Sequence, residues 1–111
     1  MKQFELVRDG APDLKFSGER LASVRNSPDR SRGEGWSGST GRWTKLCLYR
    51  TAGGMLVCRR TQYSAWQGER ARQDEVVMFD STASVIKWFG YSDLAKELYQ
   101  SAKIDASETI E

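Results

Sequence analysis

The chemistry this chain can offer is that of guanidinium groups and aromatic rings. Arg30, Arg32 and Arg42 flank or lie within a Gly/Ser-rich stretch around Trp36, while Arg59, Arg60, Arg70 and Arg72 cluster further on with Tyr63 and Trp66. Between residues 20 and 72 arginine outnumbers lysine ten to one. That bias favours bidentate contact with phosphate or carboxylate over plain solubility. Trp36, Trp43, Tyr49, Tyr63 and Trp66 are interleaved with these cations. Arginines mixed with exposed rings on a sheet make a platform for single-stranded nucleic acid, through stacking and backbone neutralisation. The competing reading is that the rings pack inward as core and the arginines pair with acidic groups of the same chain. Trp36 stands apart, because a Gly/Ser loop leaves it little local core to join; it anchors the loop or forms a contact hot spot.

Other chemistry is poorly supplied. The chain has no histidine, which removes the commonest general base and the usual partner of cysteine at a zinc site. Two cysteines, Cys47 and Cys58, do not make a metal site, and no cofactor is implied. Gly33-Glu34-Gly35-Trp36-Ser37-Gly38 matches G-x-G-x-x-G. That motif works only between a strand and the N-terminus of a helix, whose amides meet a pyrophosphate. Here Ser39-Thr40-Gly41 leads into strand-like Arg42-Trp43-Thr44, so the match is read as a glycine-rich loop. The residues favour a binding protein over an enzyme, which would need a carboxylate or lysine of strongly shifted pKa in a cleft.

Charge is distributed unevenly. Residues 20–72 hold 11 Lys+Arg against three acids, whereas residues 73–111 hold three basic groups against eight acidic ones. The formal net charge of +2 at pH 7 therefore conceals a basic centre and an acidic C-terminal part. Such a field steers partner choice, whether the partner is nucleic acid, an acidic protein surface or the chain's own tail.

These groups must be positioned by a single domain of 111 residues, long enough to bury one modest core. No apolar run approaches a membrane span or a signal-peptide core, so a cytoplasmic protein without a membrane partner is expected. Residues 3–8 read as a strand ended by Gly10-Ala11-Pro12. Leu14 to Val24 reads as a strand, a turn or bulge at Gly18, and a second strand. Residues 26–41 are a long loop by composition, and loops of that length are usually functional or disordered. Arg42–Thr51 and Met55–Tyr63 form a hairpin about Gly53-Gly54. With an even loop Cys47 and Cys58 would share one face, and Leu46, Leu48 and Val57 the other; an odd loop would exchange the faces of one arm. A cytoplasmic setting keeps the two thiols free and half-buried. Residues 64–73 form a polar connection to a short buried strand, Glu75–Phe79. Residues 81–103 are helical: Ser81 caps a helix stopped by Gly90, and Ser92 caps a second with a stripe of Leu94, Ala95, Leu98, Tyr99 and Ala102. The expected fold is α+β, an antiparallel sheet of about five strands with two C-terminal helices packed on one face. A homodimer sharing those helices is left open.

Two stretches, Trp43-Thr44-Lys45-Leu46-Cys47-Leu48-Tyr49-Arg50-Thr51-Ala52-Gly53-Gly54 and Trp88-Phe89-Gly90 followed by Leu94-Ala95-Lys96-Glu97-Leu98-Tyr99, resemble small uncharacterised proteins of bacterial conjugative plasmids and integrated mobile elements. The likeness covers residues 40–105. It implies a bacterial accessory protein that acts by binding, for example by blocking host defence as anti-CRISPR proteins do. The expected partner is a protein or nucleoprotein complex, with nucleic acid itself the alternative.

Overall fold

In the computed structural model, which describes residues 2–26, 42–64, 68 and 71–106, five strands precede two helices. They are β1 (Lys2–Leu6), β2 (Leu14–Arg25), β3 (Arg42–Thr51), β4 (Leu56–Ser64), β5 (Arg72–Phe79), α1 (Thr82–Phe89) and α2 (Asp93–Ala102). The strands form one antiparallel sheet in the order β1-β2-β3-β4-β5, so the expected α+β architecture is observed.

The sheet is buried on both faces at its centre. Leu46, Cys47, Leu48 and Tyr49 are consecutive and all buried. One face carries Ala22, Val24, Leu46, Leu48, Leu56 and Cys58 against Val85, Phe89, Ala95, Leu98 and Tyr99 of the helices. The opposite, inner face buries Leu6, Cys47, Tyr49, Val57 and Val76, with Phe4, Leu14 and Phe16 packed on them and, among the described residues, no helix above. Burial without a second layer requires the sheet to curl over itself. The curl is visible at its edges, where the Asp9 amide donates to the Asp74 carbonyl at 3.1 Å and the Asp74 amide donates to Asp9 Oδ2 at 2.7 Å. Phe4, Phe16 and Tyr49 meet ring to ring inside, at centroid separations of 5.0 to 5.6 Å.

Two expectations are corrected and one open alternative, the hairpin parity, is decided. Residues 14–25 are one continuous strand, and the irregularity lies between Arg20 and Ala22 instead of at Gly18. The extra residue there shifts the phase of the side chains. Leu14 and Phe16 therefore point inward, whereas Ala22 and Val24 point to the helices. Gly18 is buried in the strand, where only glycine fits: a Cβ there would collide with the Arg50 carbonyl and lie 2.9 Å from Thr51 Cα. The β3–β4 hairpin has an odd loop, Ala52-Gly53-Gly54, closed by the Thr51 amide on the Met55 carbonyl at 2.8 Å, with Gly54 at φ +92°. Odd parity puts Leu48 opposite Cys58 and Tyr49 opposite Val57. The two free, buried cysteines thus face opposite sides of the sheet, and Val57 lies away from Leu46 and Leu48. Finally, the connection after β4 is shorter than expected, since β5 begins at Arg72.

The helices begin and stop where the sequence predicts. Ser81 Oγ accepts from the Ser84 amide at 3.3 Å and Ser92 Oγ from the Ala95 amide at 3.1 Å. Gly90, at φ +83°, returns its amide to the Ile86 carbonyl at 2.7 Å. The Tyr99 hydroxyl then donates to the Gly90 carbonyl at 2.6 Å, tying α2 to the end of α1.

Candidate binding surface

The antiparallel register sorts the side chains at one end of the sheet into rows. On the inner face, Trp43, Tyr63 and Arg72 stand side by side on β3, β4 and β5. The Trp43 and Tyr63 rings stack at 5.3 Å and 14°, and the Arg72 guanidinium carbon lies 5.8 Å from the Tyr63 ring centre. The next row runs Arg25, Lys45, Thr61, Asp74, and the one beyond it Ser23, Cys47, Arg59, Val76. Four cations and one carboxylate, Asp74, thus occupy three adjacent rows.

Asp74 organises that cluster. Its residue is only 4% exposed, and its Oδ1 accepts from Thr61 Oγ1 at 2.7 Å and from Arg59 at 3.2 Å. Arg72 donates Nε to Oδ2 at 2.8 Å and its terminal nitrogen to Oδ1 at 3.3 Å. Burial by itself would raise the Asp74 carboxyl. The hydrogen bonds from Arg72 and Thr61 and the charges of Arg59 and Arg72 outweigh it and hold the group below its ordinary value. Arg59 is also deeply placed, with 14% of its side chain exposed and its Nε buried without a hydrogen-bond partner among the described residues. Arg72 is about half exposed. Asp74 and its two arginines therefore form a structural clamp, with Arg72 and the aromatic pair at its open edge.

The predicted contact residues do not all share this face. Arg59, Tyr63 and Arg72 come together on it. Arg60 alternates to the helix face, where its guanidinium sits 4.2 Å from the Trp88 ring centre, donates to the Trp88 carbonyl at 3.0 Å and approaches Glu75 at 3.4 Å. For Arg59, Arg60 and Arg72 the pairing with carboxylates of the acidic C-terminal part is what is observed. Arg42 is exposed and pairs in register with Ser64. With Asn26, Thr44, Gln62 and Gln73 these two line a shallow cleft of about 350 Å³. Arg30, Arg32, Trp36, Trp66 and Arg70 lie outside the described residues.

Sequence reasoning overlooked Asp74 and the pairing of Arg25 with Lys45. Arg72-Gln73-Asp74 carried a usable signal for the first, because residues two apart on a strand share a face. The second depends on a register that no local pattern reveals. Tyr49, grouped with the candidate aromatics, belongs to the core with Phe4 and Phe16. Residues 27–41 join Asn26 to Arg42, and both of these end residues stand at the sheet end that carries the row of Trp43, Tyr63 and Arg72. No protein-family model, curated protein or solved structure matches this chain.

Proposed function

We propose that this chain is a non-enzymatic binding module of a bacterial mobile element, acting in the cytoplasm by occupying a macromolecular surface. The observation that carries the reading is the row of Trp43, Tyr63 and Arg72 at the sheet end flanked by Asn26 and Arg42. Stacked rings beside an arginine are the residue types that dominate binding energy at interfaces. The cations Arg25 and Lys45 stand in the next row of the same face, Arg42 precedes Trp43 at the sheet end, and the sequence between Asn26 and Arg42 adds Arg30, Arg32 and Trp36. Absence of histidine in the sequence and the engagement of Asp74 by three side-chain donors argue against general acid–base work. The resemblance to mobile-element proteins makes a host-defence nucleoprotein complex the partner to look for. Capture from a bacterial lysate tests the reading, comparing the wild type with an Arg30/Arg32/Trp36→Ala variant and with Tyr63→Ala. Loss of the same partner in both variants is expected. Recovery of identical partners by all three proteins would reject this end of the sheet as the contact.

A further inference from the structure

Arg25 on β2 and Lys45 on β3 stand directly opposite each other. Like charges in that position approach to about 5 Å at Cβ and destabilise the sheet. Neither makes an ion pair among the described residues, whereas Lys15, Arg50, Arg59, Arg60 and Arg72 each have a carboxylate. Asp74 lies in the same row, but two strands away from Lys45, about 10 Å at the usual strand spacing. It is already engaged by Arg59, Thr61 and Arg72. The fold therefore holds two neighbouring cations that the carboxylates of the described residues leave uncompensated, one row from a stacked tryptophan–tyrosine pair.

Resting on the binding-module reading, the geometry points to single-stranded nucleic acid as the ligand of this inner-face end, with a phosphate between Arg25 and Lys45 and a base against Trp43 and Tyr63. The two rows are separated by two strand residues, about 7 Å, which is on the scale of one sugar–phosphate unit. A phosphate removes the Arg25–Lys45 repulsion and releases its counterions. The rings then serve a ligand whose π-faces are open, as a single strand's are and a duplex's are not. An acidic peptide would satisfy the cations and leave the aromatic row without a role. Arg72, half exposed, lies over the Tyr63 ring and continues the stack while keeping its bond to Asp74.

The test is fluorescence anisotropy on the full chain with labelled oligo-dT and oligo-U of about 15 nucleotides, a duplex of equal length and a poly-glutamate peptide, over a salt series. Binding to a single strand with a steep salt dependence is expected. Arg25→Ala/Lys45→Ala should reduce the slope of log K against log salt by about 0.7, the share of one phosphate on a single strand. Tyr63→Leu should weaken binding roughly tenfold with the slope unchanged. Arg50→Ala, which removes a cation paired with Glu19, should change neither. Thermal unfolding shows that the double variant is folded: its midpoint should match or exceed the wild type's, because a repulsion has been removed. An unaltered slope in the double variant, or tighter binding to the duplex or to poly-glutamate, would overturn the inference. If no oligonucleotide binds while lysate capture still depends on Tyr63, nucleic acid is wrong and the binding-module reading survives. If capture is lost too, both fall.

Discussion

Replacing Asp74 by asparagine removes one charge from the buried clamp and leaves its shape nearly intact. The asparagine oxygen still accepts from Thr61, which now lies 2.7 Å from Oδ1. Arg59 then faces no carboxylate while only 14% of its side chain reaches solvent. Breaking a buried pair by removing one partner costs roughly 3–5 kcal/mol. Arg72 is about half exposed and water replaces much of its lost interaction, so the lower end, about 3 kcal/mol, is expected. With a urea m-value of about 1.5 kcal/mol/M, the unfolding midpoint falls by about 2 M. Adding Arg59→Met to Asp74→Asn should recover part of this, because it removes the orphaned buried cation. The pH dependence supplies a second readout. Asp74 has a folded-state pKa below its unfolded value of about 3.9. Its contribution is therefore complete above that value and is lost as pH falls through the folded pKa. The stability difference between wild type and Asp74→Asn should shrink as the solution is acidified below about pH 4. A midpoint change under about 0.5 M at neutral pH, or a difference that does not narrow in acid, would refute the clamp as a source of stability.

Other substitutions follow from the fold. Gly18→Ala drives a methyl group into the backbone of β3 and should destabilise by about 2 kcal/mol or more, read as a fall in thermal midpoint. Gly90→Ala meets open space, yet it forces alanine to φ +83° and ψ −153°, a region essentially reserved for glycine, so a loss of about 1–3 kcal/mol in urea unfolding is expected. Cys47 and Cys58 should resist a thiol reagent in the native protein and react together on unfolding. Burial pushes the Cys58 thiol up to about 12, and mild oxidation should give no bond between the two sulfurs, which face opposite sides of the sheet.

Much of the architecture is legible from local chemistry. Ser81, Gly90 and Ser92 mark helix boundaries because capping is decided within four residues, and the stripe from Leu94 to Ala102 declares its buried face by period alone. The hairpin about Gly53-Gly54 is similarly local. Its parity is not. An odd loop turned Cys58 to the helices and Arg59 to the inner face, and a one-residue change of register reverses every such assignment. The bulge between Arg20 and Ala22 has the same character: it sends Phe16 inward and Val24 outward along one strand, where an even alternation would have kept them together.

The candidate surface shows the same division. The sequence by itself determined which groups exist: a basic, arginine-rich centre with aromatic neighbours, an acidic C-terminal part, and no histidine. It also determined that the chain makes a sheet followed by two helices, because periodicity and caps act over one turn or one strand. Only the tertiary structure decided which charges cancel. Curling of the sheet buried Asp74 beneath Arg59 and Arg72, and alternation carried Arg60 away to Trp88. Cross-strand register left Arg25 and Lys45 facing each other with no carboxylate paired to either among the described residues. Electrostatic interaction depends on separation in space, and residues 25, 45 and 74 fall into one row, with 74 two strands from 45, only when β2, β3, β4 and β5 have paired.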